Sequence, residues 1–72
     1  MTRKLLEHYL NLNYRITLYP DVEGGFVAAI QALPGCLTQG ETLEETIENI
    51  HEARELSIEV TYEAGGTIPL PS

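Results

Sequence analysis

The stretch from Thr42 to Ala64 constrains this chain more than any other. Thr42-Leu43-Glu44-Glu45 is a capping box: the threonine hydroxyl can accept from the third helical amide, and Glu45 can reach back to the cap's own amide. At about 100° per residue, Leu43, Thr46, Ile47, Ile50, Ala53, Ser57, Ile58, Val60 and Ala64 fall within a sector of roughly 160°, with Arg54 and Thr61 among them. The seven glutamates from Glu44 to Glu63 fall within about 100° on the opposite side. The small residues Ala53 and Ser57 at the middle of the apolar side suit close approach to a sheet. Gly65-Gly66 offers a left-handed stop at the far end.

Strand signals precede the helix. Residues 14–19 alternate, with Tyr14, Ile16 and Leu18 on one face and Arg15, Thr17 and Tyr19 on the other. Pro20 removes a backbone donor and is expected to end the strand. Asp21-Val22-Glu23-Gly24-Gly25 supplies turn chemistry, so Phe26 to Gln31 is the returning strand of an antiparallel hairpin. That second strand is apolar on both faces: Phe26, Ala28 and Ile30 point one way, Val27 and Ala29 the other. One helix covers one face. The other is expected to be covered, at least in part, by the N-terminal segment, another copy or a partner.

Leu33-Pro34-Gly35 is a tight connection, and residues 36–39 read as a third strand ended by Gly40. Thr67 to Ser72 is expected to pair briefly at a sheet edge, limited by the donor-less Pro69 and Pro71. Residues 2–12 carry Leu5, Leu6, Tyr9 and Leu10 at a spacing that suits a short amphipathic helix or a loose arm. The predicted fold is α+β: a three-stranded antiparallel sheet, one long helix on one face and a short C-terminal edge strand, in the order β-β-β-α-β. An N-terminal arm or short helix occupies residues 1–13 and the core domain residues 14–72.

At 72 residues the chain makes one domain. Its core is thin, because a fold of this size hides only about 60% of its unfolded surface. Oligomerisation or partner binding is a natural supplement. The longest apolar run, Phe26 to Ile30, is far short of the roughly 20 residues of a spanning helix. The first residues lack the apolar run of a secretion signal, and the single cysteine, Cys36, cannot bridge internally. These features point to the cytoplasm.

Eleven acidic residues face four basic ones, for a net charge of −7. Such a surface repels phosphate backbones and attracts a basic partner. Along the helix, Glu44/Glu48, Glu48/Glu52, Glu55/Glu59 and Glu59/Glu63 each cost a few tenths of a kcal/mol by repulsion at i,i+4. The glutamates therefore have two readings, a solubilising face or a docking face for a cation-rich partner.

Catalytic chemistry is not evident. Cys36 has only His8 and His51 as candidate bases, and a small buried cysteine with two surface histidines explains all three. One cysteine and two distant histidines do not make a zinc site. Carboxylates on one solvent face do not converge on metal ions. No phosphate-cradling loop and no basic DNA-gripping element is present. The expectation is a non-enzyme without cofactor or metal, in contact with neither membrane nor nucleic acid.

Tyr14 to Tyr19, Asp21-Val22-Glu23-Gly24-Gly25-Phe26-Val27-Ala28 and the run from Leu33-Pro34-Gly35-Cys36 through Gly40-Glu41-Thr42-Leu43-Glu44-Glu45 resemble the core of HicB-type antitoxins. Asn49, Glu52, Ala53 and the tail with Ile68-Pro69 match the same pattern. The resemblance covers residues 14–72. It implies a partial RNase H-like fold, without nuclease activity here because the first strand presents Arg15, Thr17 and Tyr19 where a metal-dependent nuclease needs an acid.

The resemblance further implies a small basic HicA-type toxin as partner, an mRNA-cleaving ribonuclease with a double-stranded-RNA-binding-like fold. The expected docking residues are Glu44, Glu48, Glu52, Glu55 and Glu59, with Leu56, Tyr19 or Tyr62 as the apolar centre. Many family members carry a C-terminal DNA-binding module, whereas this sequence stops at Ser72, so autorepression is not expected. The alternative is a solitary homo-oligomeric HicB-like module with no toxin.

Overall fold

The computed structural model describes residues 3–71. Its elements run α1 (Leu6–Leu10), β1 (Thr17–Pro20), β2 (Phe26–Ala29), β3 (Leu37–Gly40) and α2 (Leu43–Glu63). The three strands form one antiparallel sheet in the order β1-β2-β3. Among the described residues no helix is long and apolar enough to cross a membrane.

The expected edge strand after α2 is absent; no residue of the described tail, 64–71, is in a strand. Ser72 lies outside the described residues. The tail is held instead by Ile68, buried in the core, and by the Pro69 carbonyl, which accepts a hydrogen bond from the Tyr14 hydroxyl at 2.6 Å. The physical reason is the pair of prolines. Pro69 and Pro71 have no amide to donate, so a side-chain donor reaching one carbonyl replaces a ladder.

The strands are also shifted from their expected bounds. β1 starts at Thr17 and includes Pro20. Ile30 donates to the Cys36 carbonyl and Asp21 donates to the Gly25 carbonyl. Alternation from those two bonds turns the backbone groups of Thr17 and Tyr19 toward β2, and those of Leu18 and Pro20 outward. The missing amide of Pro20 therefore faces away from the ladder and removes no bond within the sheet. The hairpin turn is closed by Asp21, whose Oδ1 accepts from the Glu23 amide at 3.1 Å.

At the start of α2 the Thr42 side chain accepts from the Glu45 amide at 3.1 Å. The reciprocal half of the box differs from expectation: Glu45 Oε1 accepts from the Glu41 amide at 3.3 Å rather than from that of Thr42. At the far end, Gly65 donates to the Tyr62 carbonyl and Gly66 to that of Thr61, a Schellman stop with Gly65 at φ +76°.

The core is Tyr14, Ala28, Ile30, Leu33, Cys36, Ile50, Ile58 and Ile68. α2 crosses β2 and β3, and its first turn presses on the strand end. A Cβ on Gly40 would stand 2.6 Å from Thr46 Oγ1 and 2.8 Å from Thr46 N. A Cβ on Gly25 would in turn collide with the Gly40 carbonyl. Thr46 is itself fully buried, and its hydroxyl donates to the Thr42 carbonyl at 2.7 Å.

α1 is shorter than the expected segment, and residue 2 lies outside the described residues. Leu6, Tyr9, Leu10 and Leu12 pack against the core, and α1 lies on α2 rather than on the sheet's second face. The N-terminal segment is thus removed from the candidates for covering that face. Tyr19 and Leu37 stand on it 43% and 63% exposed.

Gly40→Ala is expected to lower stability by about 1–3 kcal/mol through forced separation of α2 from β3. Chemical denaturation checks this, and an unchanged midpoint would contradict the packing described.

Candidate functional site

α2 presents the most distinctive surface of the molecule. Glu44, Glu48, Glu52 and Glu55 are exposed, and Glu59, further along the same face, is half-buried. Thr46, Ile50 and Ile58 are the helix's buried residues and lie on the opposite side. The glutamates are therefore turned outward because the core takes the other stripe, not because anything draws them out.

The nearby cations are held elsewhere. Arg54 Nη1 donates to the Leu10 carbonyl at 2.8 Å, tying α2 to α1. Arg3 lies over the Tyr62 ring, 3.9 Å from its centroid, and donates to the Gly66 carbonyl at 3.2 Å. Both guanidiniums serve carbonyls or an aromatic face, so the glutamate stripe keeps its negative field.

Of the three candidate apolar centres, Leu56 stands beside the glutamates and is 62% exposed. Tyr62 is half-buried beneath the N-terminal segment. Its hydroxyl donates to the Lys4 carbonyl at 2.8 Å, and its ring centroid lies 6.0 Å from that of Tyr9. Tyr19 sits on β1 and faces the open side of the sheet, away from α2. Leu56 thus stands beside Glu52, Glu55 and Glu59 on α2; Tyr62 follows Glu59 by one turn with its ring under Arg3 and near Tyr9, and Tyr19 lies apart from them on the sheet.

Val60 was grouped with the core on the helical wheel, yet it is 57% exposed and one turn beyond Leu56. The reason is a drift in the buried stripe. The sheet covers the helix around Thr46 and Ile50, whereas α1 covers it around Ile58 and Tyr62. Toward its C-terminal end the covered side of α2 turns to α1, so Leu56 and Val60, on the side away from α1, are left as an apolar strip beside the carboxylates. Two covers that take different sides of one helix are invisible to a wheel that assumes one buried direction.

A shallow cleft of about 360 Å³ opens where the hairpin turn meets the start of α2, lined by Asp21, Glu23, Glu41 and Glu45 among others. Among the described residues, no three Cys, His, Asp or Glu side chains are placed to hold a metal ion. His51 is exposed, and His8 is an exposed neighbour of Tyr9, with ring centroids 5.2 Å apart at 83°. Cys36 is buried in the core, and burial pushes its thiol up from its ordinary value, with Arg54 opposing weakly.

The thiolate is the reactive form, so this thiol is doubly protected. Alkylation of Cys36 in the folded protein at mildly alkaline pH is expected to be much slower than in denaturant, as followed by mass spectrometry. Equal rates in the two conditions would contradict its placement.

The chain matches the family described as HicB-like antitoxin of bacterial toxin-antitoxin system over residues 14–72. A UPF0150 protein of Synechocystis sp. is 50% identical over 58 residues, covering 81% of this chain and 80% of the relative. Antitoxin HicB 1 of Photorhabdus laumondii is 39% identical over 61 residues, covering 85% of this chain and 39% of the relative. Antitoxin HicB of Escherichia coli K12 is 38% identical over 61 residues, covering 85% and 44% respectively. The match therefore spans less than half the length of these two antitoxins. The chain belongs to the HicB-like antitoxin family of bacterial toxin-antitoxin systems.

Proposed function

We propose that this HicB-like chain neutralises a small basic HicA-type ribonuclease toxin by laying the outer face of α2 against the toxin's RNA-binding surface. The observation that carries the reading is the uninterrupted exposed row Glu44, Glu48, Glu52 and Glu55, with Leu56 beside it. A surface made to hold phosphates attracts such a row, and occupying it excludes RNA. No bond is made or broken by the antitoxin in this scheme. It acts by occupancy.

Charge and apolar contact have separate roles. The glutamates raise the encounter rate and orient the partner, while a desolvated apolar centre sets the lifetime of the complex. Leu56 and Val60 provide that centre. Their positions on a helix fixed by the core mean that little ordering entropy is lost when they are covered.

The Glu48→Lys, Glu52→Lys, Glu55→Lys triple variant is expected to associate with a HicA-type toxin at least about tenfold more slowly at low salt. Its folding stability should be retained, since the three side chains are exposed. Leu56→Asp is expected instead to act mainly on dissociation, weakening the complex by about 2 kcal/mol or more. Surface plasmon resonance with the purified toxin separates the two effects. Unchanged kinetics in both variants would remove the outer face of α2 from the mechanism.

A further inference from the structure

The two ends of α2 are satisfied differently. Thr42 caps the first turn, and Glu44 and Glu45 sit where a helix favours acids. The last turn carries no basic residue of its own, although the carbonyls left there favour a cation. Arg3 supplies one from the other end of the chain. Its guanidinium carbon lies 3.9 Å from the centroid of the Tyr62 ring, within cation–π range, and its Nη2 donates to the Gly66 carbonyl at 3.2 Å. Glu59 precedes Tyr62 by three residues and so neighbours it on the helix surface. An aromatic face, a carbonyl past the helix end and a nearby carboxylate suit a planar, charged group with five donors.

The segment that brings Arg3 there is lightly held. Residues 3–5 are exposed and lie in no helix or strand. Besides the contacts of Arg3, the Tyr62 hydroxyl ties them by donating to the Lys4 carbonyl at 2.8 Å, in an exposed position. Exposed hydrogen bonds with little buried surface mark a segment that opens without unfolding the rest. Arg3 also lies outside residues 14–72, the stretch that matches the family, whereas Tyr62 and Gly66 lie inside it. The receiving groups belong to the family domain; the guanidinium that fills them does not.

We propose that the Tyr62 ring and the Gly66 carbonyl form a guanidinium-binding site, filled in cis by Arg3 in the free protein and taken by an arginine of a cation-rich partner when residues 3–5 lift. Arginine is the ligand rather than lysine, because a planar fork stacks on the ring while donating to the carbonyl, and a compact ammonium does not. Arg3 is then an internal competitor. Its short tether holds it at an effective concentration on the order of millimolar, which an incoming arginine must overcome. The site continues the glutamate row one turn past Glu59, so a partner seated on the outer face of α2 reaches it. The partner half of the inference rests on the function proposed above; the occupation by Arg3 does not.

The test has two arms, both on the full chain. In the first, N-acetyl-arginine amide is titrated into Arg3→Ala and followed by NMR. Shifts are expected at the Gly66 amide and around Tyr62, with an apparent affinity at least about threefold higher than in the unsubstituted protein, where Arg3 competes. Lys4→Ala changes the net charge equally but leaves Arg3 in place, so it is expected to match the unsubstituted protein. N-acetyl-lysine amide is expected to shift the same signals less. An equal response with and without Arg3, or shifts spread along the glutamates instead of at Tyr62 and Gly66, overturns the site. In the second arm, Arg3→Ala is expected to bind a HicA-type toxin about twofold to fivefold more tightly than Lys4→Ala, because the competitor is gone. Equal toxin affinity of these two variants overturns use of the site by the partner. Toxin binding by no variant overturns the function proposed above and the partner half with it, while the first arm alone decides the occupation by Arg3.

Discussion

Contact between Gly40 and Thr46 fixes where the long helix crosses the sheet. Because Gly40 has no side chain, the first turn of α2 settles onto the end of β3, and Thr46 is buried with its hydroxyl returned to the Thr42 carbonyl. The same closeness lets Asn49 reach the outward carbonyl of Gln39 one turn later. Once this crossing is set, the rotation of α2 about its own axis is set, and with it the direction in which the glutamates point. The anionic face is therefore a consequence of how the apolar stripe is seated.

Rotation of the buried stripe along α2 explains the rest of the exposed surface. The helix is about 31 Å long at 1.5 Å per residue, and the molecule extends 48 Å along its longest axis against 19 and 18 Å across. The sheet covers one end of α2; α1 and the returning tail cover the other, through Ile58, Tyr62 and Ile68. Arg54 and Arg3 stitch these coverings together by donating to backbone carbonyls. A thin core is thereby extended over a long helix, and Leu56 and Val60 are left uncovered on the side of α2 away from α1.

Local signals were readable in the sequence and long-range ones were not. The Thr42 cap and the Gly65 stop depend on side chains within a few residues, so both ends of α2 were legible, as was the hairpin around Asp21 to Gly25. The expected edge strand failed because the tail's carbonyl finds Tyr14, 55 residues away, a donor that no local pattern announces. β1 does stop at Pro20, but as its last paired residue, because a proline disrupts a ladder only when its missing amide faces the partner, and that depends on register. At the site, the glutamate row was legible from periodicity. That α1 partly covers Tyr62 while Val60 is left exposed required knowing where α1 lies.

The proposed function rests on one physical account: a fold that holds a row of carboxylates outward beside an apolar strip, which would act by occupying a cation-rich partner. Its most direct test is the ionic-strength dependence of association with a HicA-type toxin, measured by stopped-flow mixing. The account predicts an association rate that falls steeply as salt rises, while dissociation changes little. An association rate indifferent to salt would contradict it.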